Sequence, residues 1–138
     1  MKKTATRVVT LVALILTAAV SLTGCSANPD KTLQDAVDLL NKSTPMTVDS
    51  DTRLDSAEVQ ENRTLCYNYT LVNYAKADIS DEMATQIKDS MVPMITAQIK
   101  SNADLEELRK LDVSFKYVYK SSDDQELFNI LVTPQDYA

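Results

Sequence analysis

Three aspartates and one arginine alternate along a short stretch of the chain. They are Asp49, Asp51, Arg53 and Asp55. Carboxylate oxygens at alternate positions are the ligands of calcium-binding loops, but an EF-hand loop also needs glycine at its sixth position and glutamate at its twelfth. Counted from Asp49, those positions hold Leu54 and Gln60. We therefore predict no metal site but a structural or interaction cluster, in which Arg53 pairs with a carboxylate across a hairpin.

Tyrosine supplies most of the aromatic side chains, with six tyrosines, two phenylalanines and no tryptophan. Four of the tyrosines occupy every second position of two predicted strands: Tyr67, Tyr69, Tyr117 and Tyr119. Successive side chains of a strand point to opposite faces, so each pair faces one side of a sheet. A buried tyrosine ring packs well, but its hydroxyl needs a partner or solvent. These four residues are predicted either to line a pocket or to belong to the core.

The chain lacks the residues on which most catalytic and phosphate-binding motifs depend. It contains no histidine, which is the commonest general base and transition-metal ligand, and its single glycine is Gly24. Loops that cradle phosphate need several glycines. No spacing of serine with lysine, or of paired carboxylates, specifies a catalytic site. We predict no enzyme activity and no cofactor, and we expect turns of positive φ to use Asn or Asp.

The two cysteines lie in different surroundings. Cys66 lies within a predicted strand, which favours a small packed side chain over a reactive thiol. Cys25 follows the basic start MKKTATR and the apolar run VVTLVALILTAAVSL. A basic start, an apolar middle and a small-residue end are typical of an export signal. The run is shorter than the stretch of about 20 apolar residues that a transmembrane helix needs.

The residues LTGC at positions 22–25 resemble the lipobox of bacterial lipoproteins. The resemblance implies that residues 1–24 are a signal peptide and that the Cys25 thiol carries a diacylglyceryl group. It also implies that a fatty acid such as palmitate acylates the new amino terminus. Cysteine suits this chemistry because its thiolate is readily alkylated. Because two or more fatty chains hold durably in a bilayer, the mature protein is predicted to be anchored to a membrane without spanning it.

The acidic excess of the chain limits the kinds of partner that it can bind. The chain has 14 basic and 20 acidic residues, and the basic residues of MKKTATR would be lost with the signal peptide. An acidic surface is repelled by nucleic acid, so we predict no nucleic-acid partner. We predict a location in the cell envelope. In a bacterium with two membranes, Ser26 resembles the outer-membrane sorting signal, on the periplasmic side. Otherwise the anchor lies in the outer face of the cell membrane.

The rest of the chain divides into a short tether, residues 25–31, and one domain, residues 32–138. Apolar periodicity predicts a helix in TLQDAVDLLNK, capped by Thr32, and a longer helix that begins after Ser80. Proline lacks the backbone N–H of a helical bond, so Pro93 is expected to kink the longer helix or to divide it.

Alternating polarity predicts two hairpins. The first joins an extended segment at about 47–59 to RTLCYNYTLVNY, and the second joins LDVSFKYVYK to LFNILV. The predicted fold class is α+β: a four-stranded antiparallel sheet from two hairpins, with helices packed on one face, in the order α-β-β-α-β-β. The opposite face is predicted to be polar and solvated, through Asn68, Thr70, Ser114 and Lys116.

The segment NKSTPMTVDSDTRLDS, followed by LCYNYTLVNY, resembles an uncharacterised group of small exported bacterial proteins. Members carry a P-x-x-V-D-x-x-T-R-L-D-S segment before a Y-x-Y-T-L strand, and the likeness is strongest over residues 41–74. They often have cysteines where this chain has residues 99–101 and Tyr137. The resemblance implies one compact domain that lacks a disulfide found in relatives.

Two functions remain open at this point. The first is a non-enzymatic protein-binding or assembly module of the cell envelope, held by a lipid anchor and meeting an envelope protein as its partner. The second is a receptor for a small molecule or peptide, with a pocket lined by the four tyrosines.

Overall fold

Apolar residues at helical spacing form the first helix, α1 (Pro29–Asn41). The computed structural model describes residues 29–138, and α1 is its first element. Leu33, Val37 and Leu40 are buried, as their spacing predicts. The helix begins before the predicted cap at Thr32, because proline is favoured in a first helical turn, where its missing N–H is not needed.

Five strands and three further α-helices follow α1. The strands are β1 (Met46–Thr47), β2 (Thr52–Gln60), β3 (Thr64–Leu71), β4 (Ser114–Ser121) and β5 (Glu126–Val132). The helices are α2 (Asp81–Ser101), α3 (Glu106–Lys110) and α4 (Pro134–Tyr137), with short 3-10 helices at Lys76–Asp78 and Ala103–Leu105. The predicted helices and hairpins are confirmed, but the extended segment at about 47–59 is two strands with a turn between them.

The five strands form one mixed sheet in the order β1-β2-β3-β4-β5. The β2–β3 and β4–β5 hairpins are antiparallel, whereas β3 and β4 pair in parallel, Thr64 with Ser114 through to Leu71 with Ser121. The prediction of four antiparallel strands was therefore wrong in number and direction. A helical crossover returns the chain to the same end of the sheet, and strands so connected run parallel. A strand has the same alternation of polar and apolar residues whichever way it runs, so this pattern does not distinguish parallel from antiparallel pairing.

Helix α2 continues through Pro93 as one element of 21 residues, so the expected division of this helix is wrong. Pro93 and Asp89 both lie on the exposed side, where a carbonyl that lacks its helical partner faces solvent. The apolar stripe on the other side, Ile87, Met91 and Ile95, is buried. Within residues 29–138, no helix has the length and apolar character needed to cross a membrane.

One face of the sheet carries the core. Helix α1 packs against β2, and α2 packs against β5, and buried residues of both helices belong to the same apolar cluster as the strands. The opposite face is less solvated than predicted. Asn68, Ser114 and Lys116 are half-buried, and Thr70 is buried because its hydroxyl donates to Asp55 on the neighbouring strand.

Turns without glycine follow the expected chemistry. Positive φ angles occur at Asn62, Asp112 and Asp124, as predicted for a domain without glycine, and also at Arg63. Asparagine and aspartate tolerate this conformation better than other residues that carry a Cβ. Arg63 was not foreseen. Its guanidinium donates to the Leu111 carbonyl at 3.0 Å, which ties the β2–β3 turn to the loop before β4.

Candidate functional site

The acidic cluster separates into two parts with different contacts. Asp49 lies in the turn between β1 and β2, where its Oδ1 accepts the N–H groups of Asp51 and Thr52 at 2.6 and 3.0 Å. Asp51 is buried, and its carboxylate accepts from Asn73 Nδ2 at 2.8 Å. These contacts shape the turn that divides the extended segment, because an aspartate side chain mimics a backbone acceptor.

Arg53 and Asp55 form the second part, on strand β2. The Arg53 Nε contacts Asp55 Oδ1 on the same strand, so the expected partner across the hairpin is wrong. A register shift between Leu54 and Ser56 accompanies this pairing. The cross-strand contact comes from Asp55, which accepts from Thr70. Among residues 29–138, no three Asp, Glu, Cys or His side chains lie close enough together to hold a metal ion.

The four tyrosines form a stacked ladder on the two central strands. Tyr67 lies beside Tyr117 and Tyr69 beside Tyr119 in the parallel register. Ring centroids are 5.3 Å apart in the first pair and 4.8 Å in the second, and the planes are nearly parallel. Phe128 of β5 extends the stack, 4.9 Å from Tyr119. This tyrosine ladder lies between β2 and β5, the strands on which α1 and α2 pack.

The ladder is buried at both ring and hydroxyl. All four side chains are at most 2% exposed, and none of the four hydroxyls has a hydrogen-bond partner among residues 29–138. Burial raises the pKa of each phenol well above its ordinary value, because the charged form would lose its hydration. Asp49 adds to the rise in the pKa of Tyr119, and Asp49 Oδ2 and the Thr52 hydroxyl are also buried without a partner.

Cys66 lies on the opposite face of the sheet and is 1% exposed. Burial, with a contribution from the nearby charge of Glu58, raises the pKa of its thiol to about 11. The sulfur is therefore protonated near neutral pH, and the reactive thiolate is scarce. This agrees with the packed side chain that the sequence favours. Cys25, the predicted lipid-bearing residue, lies outside the described residues.

Two polar contacts at the ends of helices were not foreseen. Arg109 Nη1 donates to the carbonyls of Ile99 and Asn102 at 2.6 and 2.7 Å, at the C-terminus of α2. A basic residue shortly after a helix is the sequence signal for such a cap. Tyr137 Oη donates to the Val113 carbonyl at 2.9 Å and holds α4, which contacts α2. Residues 99–101 and Tyr137, where the resemblance implies cysteines in relatives, thus lie on neighbouring helices.

The fold is shared with three bacterial proteins of known structure. A crystal structure of a Pseudomonas aeruginosa protein predicted to be secreted has a TM-score of 0.64 at 14% identity, covering 83% of this chain and 100% of that chain. The pilotin EpsS of the Vibrio vulnificus type 2 secretion system has a TM-score of 0.59 at 8% identity, covering 80% of this chain and 92% of that chain. The type II secretion pilotin AspS of Vibrio cholerae has a TM-score of 0.55 at 17% identity, covering 79% of this chain and 92% of that chain.

These identities are low, and the likeness establishes the fold alone. Residues 28–128 match the family model of the domain of unknown function DUF8479. The chain belongs to this family. The matched residues run from the start of α1 into β5. Comparison with curated protein sequences gives no significant match.

Proposed function

We propose that this protein is a lipid-anchored, non-enzymatic assembly module of a bacterial cell envelope, and that it acts by binding a protein partner. The observation that carries the proposal is the agreement of its fold with two pilotins over 92% of each pilotin chain. The likeness therefore extends over nearly all of each solved pilotin chain. A component of a secretion or assembly system in the envelope is the class of partner that this likeness supports.

The lipid anchor explains how such a module would be placed. The lipobox-like residues LTGC end directly at Cys25, and α1 begins at Pro29, so few residues separate the anchor from the folded domain. Each residue spans at most about 3.5 Å, which keeps the domain within roughly 15 Å of the bilayer. A module held this close meets partners at the membrane surface and not in the bulk compartment.

The anchor is tested by Cys25→Ala in the full-length chain. We expect loss of labelling by a clickable palmitate analogue, because no other residue is predicted to carry lipid, and either release of the protein from the membrane fraction or retention of the uncleaved signal peptide. Cys66→Ala is the matched control and should keep both properties, since its buried thiol is not the proposed acceptor. Unchanged labelling of the Cys25→Ala protein would refute the lipid assignment.

The partner-binding activity needs its own test. We expect chemical cross-linking in intact cells, followed by purification of the wild-type protein, to recover one envelope protein in a reproducible ratio. Repeated recovery of the protein alone would reject this part of the proposal. The alternative, a receptor with a tyrosine-lined pocket, has less support because the four rings stack on one another and are at most 2% exposed.

A further inference from the structure

The two edges of the sheet are treated differently by the rest of the chain. At the β2 edge, β1 pairs with Leu54 and Arg53. Further along the same edge, the Asn41 side chain accepts from the Ala57 N–H and donates to the Ala57 carbonyl, each at 2.8 Å. The amide of Asn41 thereby takes the place of a neighbouring strand. The groups of β2 that would otherwise recruit another chain are partly occupied.

The β5 edge has no comparable cover. Within residues 29–138, no backbone hydrogen bond joins the outer edge of β5 to another element. After Glu126 the strand reads LFNILV, without charge or proline, and Leu131 is 52% exposed. Charges, proline and covering loops are the devices by which proteins block edge strands. The charge of Glu126 and a register shift beside it, both at the start of β5, are the devices of this kind in the strand.

Negative charge predominates around this edge, although Lys116 and Lys120 of β4 lie in register with Leu131 and Glu126. Residues 121–138 contain no lysine or arginine, while Asp123, Asp124 and Glu126 stand at the start of β5 and Asp136 follows its end. Lys120 lies 3.4 Å from Asp124 and offsets part of this charge. Asp136 is engaged in capping α4 through Thr133. The uncovered edge therefore keeps an excess of negative charge, most of it at the start of β5.

We propose that the outer edge of β5 binds an extended, basic segment of a protein partner by strand addition. The proposal names the class of partner for the binding activity proposed above and rests on it. Backbone hydrogen bonds to an edge strand supply affinity, and alternate side chains supply specificity. Basic side chains of the added strand meet the acidic residues at the ends of β5. An apolar side chain between them packs against Leu131.

A second copy of this chain is a poorer occupant of the same edge. Antiparallel pairing of two β5 strands joins two edges that each carry an excess of negative charge. Like charges on neighbouring strands are destabilising. A basic strand gains from the same charges. Charge complementarity thus selects the partner segment over self-association.

The first test uses full-length protein purified from membranes in a neutral detergent. The probe is a synthetic octapeptide of alternating lysine and valine, and the readout is amide hydrogen exchange. We expect slower exchange in β5 with no change in β2, and weaker binding at high salt. The matched octapeptide of glutamate and valine should bind about tenfold more weakly, since several exposed charge pairs each change sign.

Protection of β2, equal binding of both peptides or no protection at all would overturn the proposal. Two variants sharpen the test. Leu131→Lys and Glu126→Lys should each weaken binding of the lysine peptide several-fold by adding like charge. Leu39→Lys is the matched control, because Leu39 is 55% exposed but lies on α1, and it should leave binding unchanged.

The second test places a photo-cross-linking amino acid at Leu131, and at Leu39 as control, in the native membrane. We expect an adduct from Leu131 that mass spectrometry maps to an extended basic segment, and none from Leu39. Adducts confined to another surface would reject the edge while leaving the partner-binding function intact. Absence of any partner would reject both. An adduct of the protein with itself would identify a second copy as the occupant and overturn the proposal.

Discussion

The hydroxyls of the tyrosine ladder are buried polar atoms without a partner in the described part of the chain. An unsatisfied buried group of this kind costs about 1–3 kcal/mol, whereas the ring that carries it contributes apolar burial and stacking. Each tyrosine therefore stabilises the core through its ring and weakens it through its oxygen. Tyr137 differs, because its hydroxyl donates to the Val113 carbonyl.

Removing the hydroxyl should therefore change the free energy of unfolding in opposite directions at the two kinds of tyrosine. Tyr69→Phe should raise the free energy of unfolding by about 1 kcal/mol, because it removes a buried oxygen that has no partner. Tyr137→Phe should lower it by about 1 kcal/mol, because it leaves the Val113 carbonyl without its donor. Urea unfolding of both variants, followed by circular dichroism, measures the two changes. Destabilisation by Tyr69→Phe would show that its hydroxyl has a partner and would favour the pocket.

Single residues show where prediction from sequence ends. The spacing of Tyr67, Tyr69, Tyr117 and Tyr119 places them on like faces, and the structure brings all four together. Whether the hydroxyls meet solvent depends on helices far away in the chain, which strand spacing does not reveal. Likewise, alternation of charge suggests a partner for Arg53, but the register shift beside Asp55 decides which carboxylate it meets.

At the scale of the elements, helix α1 also covers part of the β2 edge of the sheet, because its last residue, Asn41, binds the backbone of Ala57. Asn41→Ala should cost about 2–3 kcal/mol of unfolding free energy, because the N–H and the carbonyl of Ala57 both lose a partner in a part-buried setting. Amide exchange of Ala57 should accelerate together with this loss. Chemical denaturation and exchange measure the two effects on the same sample.

The control for this prediction lies on the opposite edge. The Asn129 amide donates to the Glu126 side chain at 3.1 Å and makes no backbone contact, so Asn129→Ala should change stability by less than about 0.5 kcal/mol. Equal losses for the two asparagine variants would contradict a special role for Asn41.

The elements were predicted more fully than their arrangement. Periodicity located α1, α2 and both hairpins because each carries its own apolar pattern. The two-residue strand β1 is too short to show a pattern, and the continuity of α2 through Pro93 depends on which side faces solvent. Pairing of β3 with β4 depends on the path of the crossover, which local sequence does not encode.

For the whole molecule, burial of titratable groups predicts sensitivity to alkali. Burial raises the pKa of all four ladder tyrosines, and that of Cys66 to about 11. Above about pH 10 the unfolded chain releases these protons while the folded protein retains them. The folded state then binds more protons, so the free energy of unfolding falls as pH rises, by up to ~1.4 kcal/mol per pH unit for each tyrosine.

The measurement is a pH titration that follows tyrosinate absorbance and far-ultraviolet circular dichroism together. We expect the ladder to ionise only as the secondary structure is lost. A Tyr67→Phe and Tyr69→Phe double variant should show a smaller alkaline slope, since two of the groups with a raised pKa are removed. Ionisation of all tyrosines with an intact fold would contradict the burial of the ladder.

The parallel pairing at the centre of the sheet has a consequence for how the protein folds. Both hairpins close between neighbours in sequence, whereas Thr64 must find Ser114 across the entire α2 region. Closing a long loop costs entropy and slows the formation of distant contacts. The pairing of β3 with β4, which we call the seam of the sheet, is therefore expected to form last. During folding, each half of the sheet would therefore form before that seam, with its inner edge still unpaired.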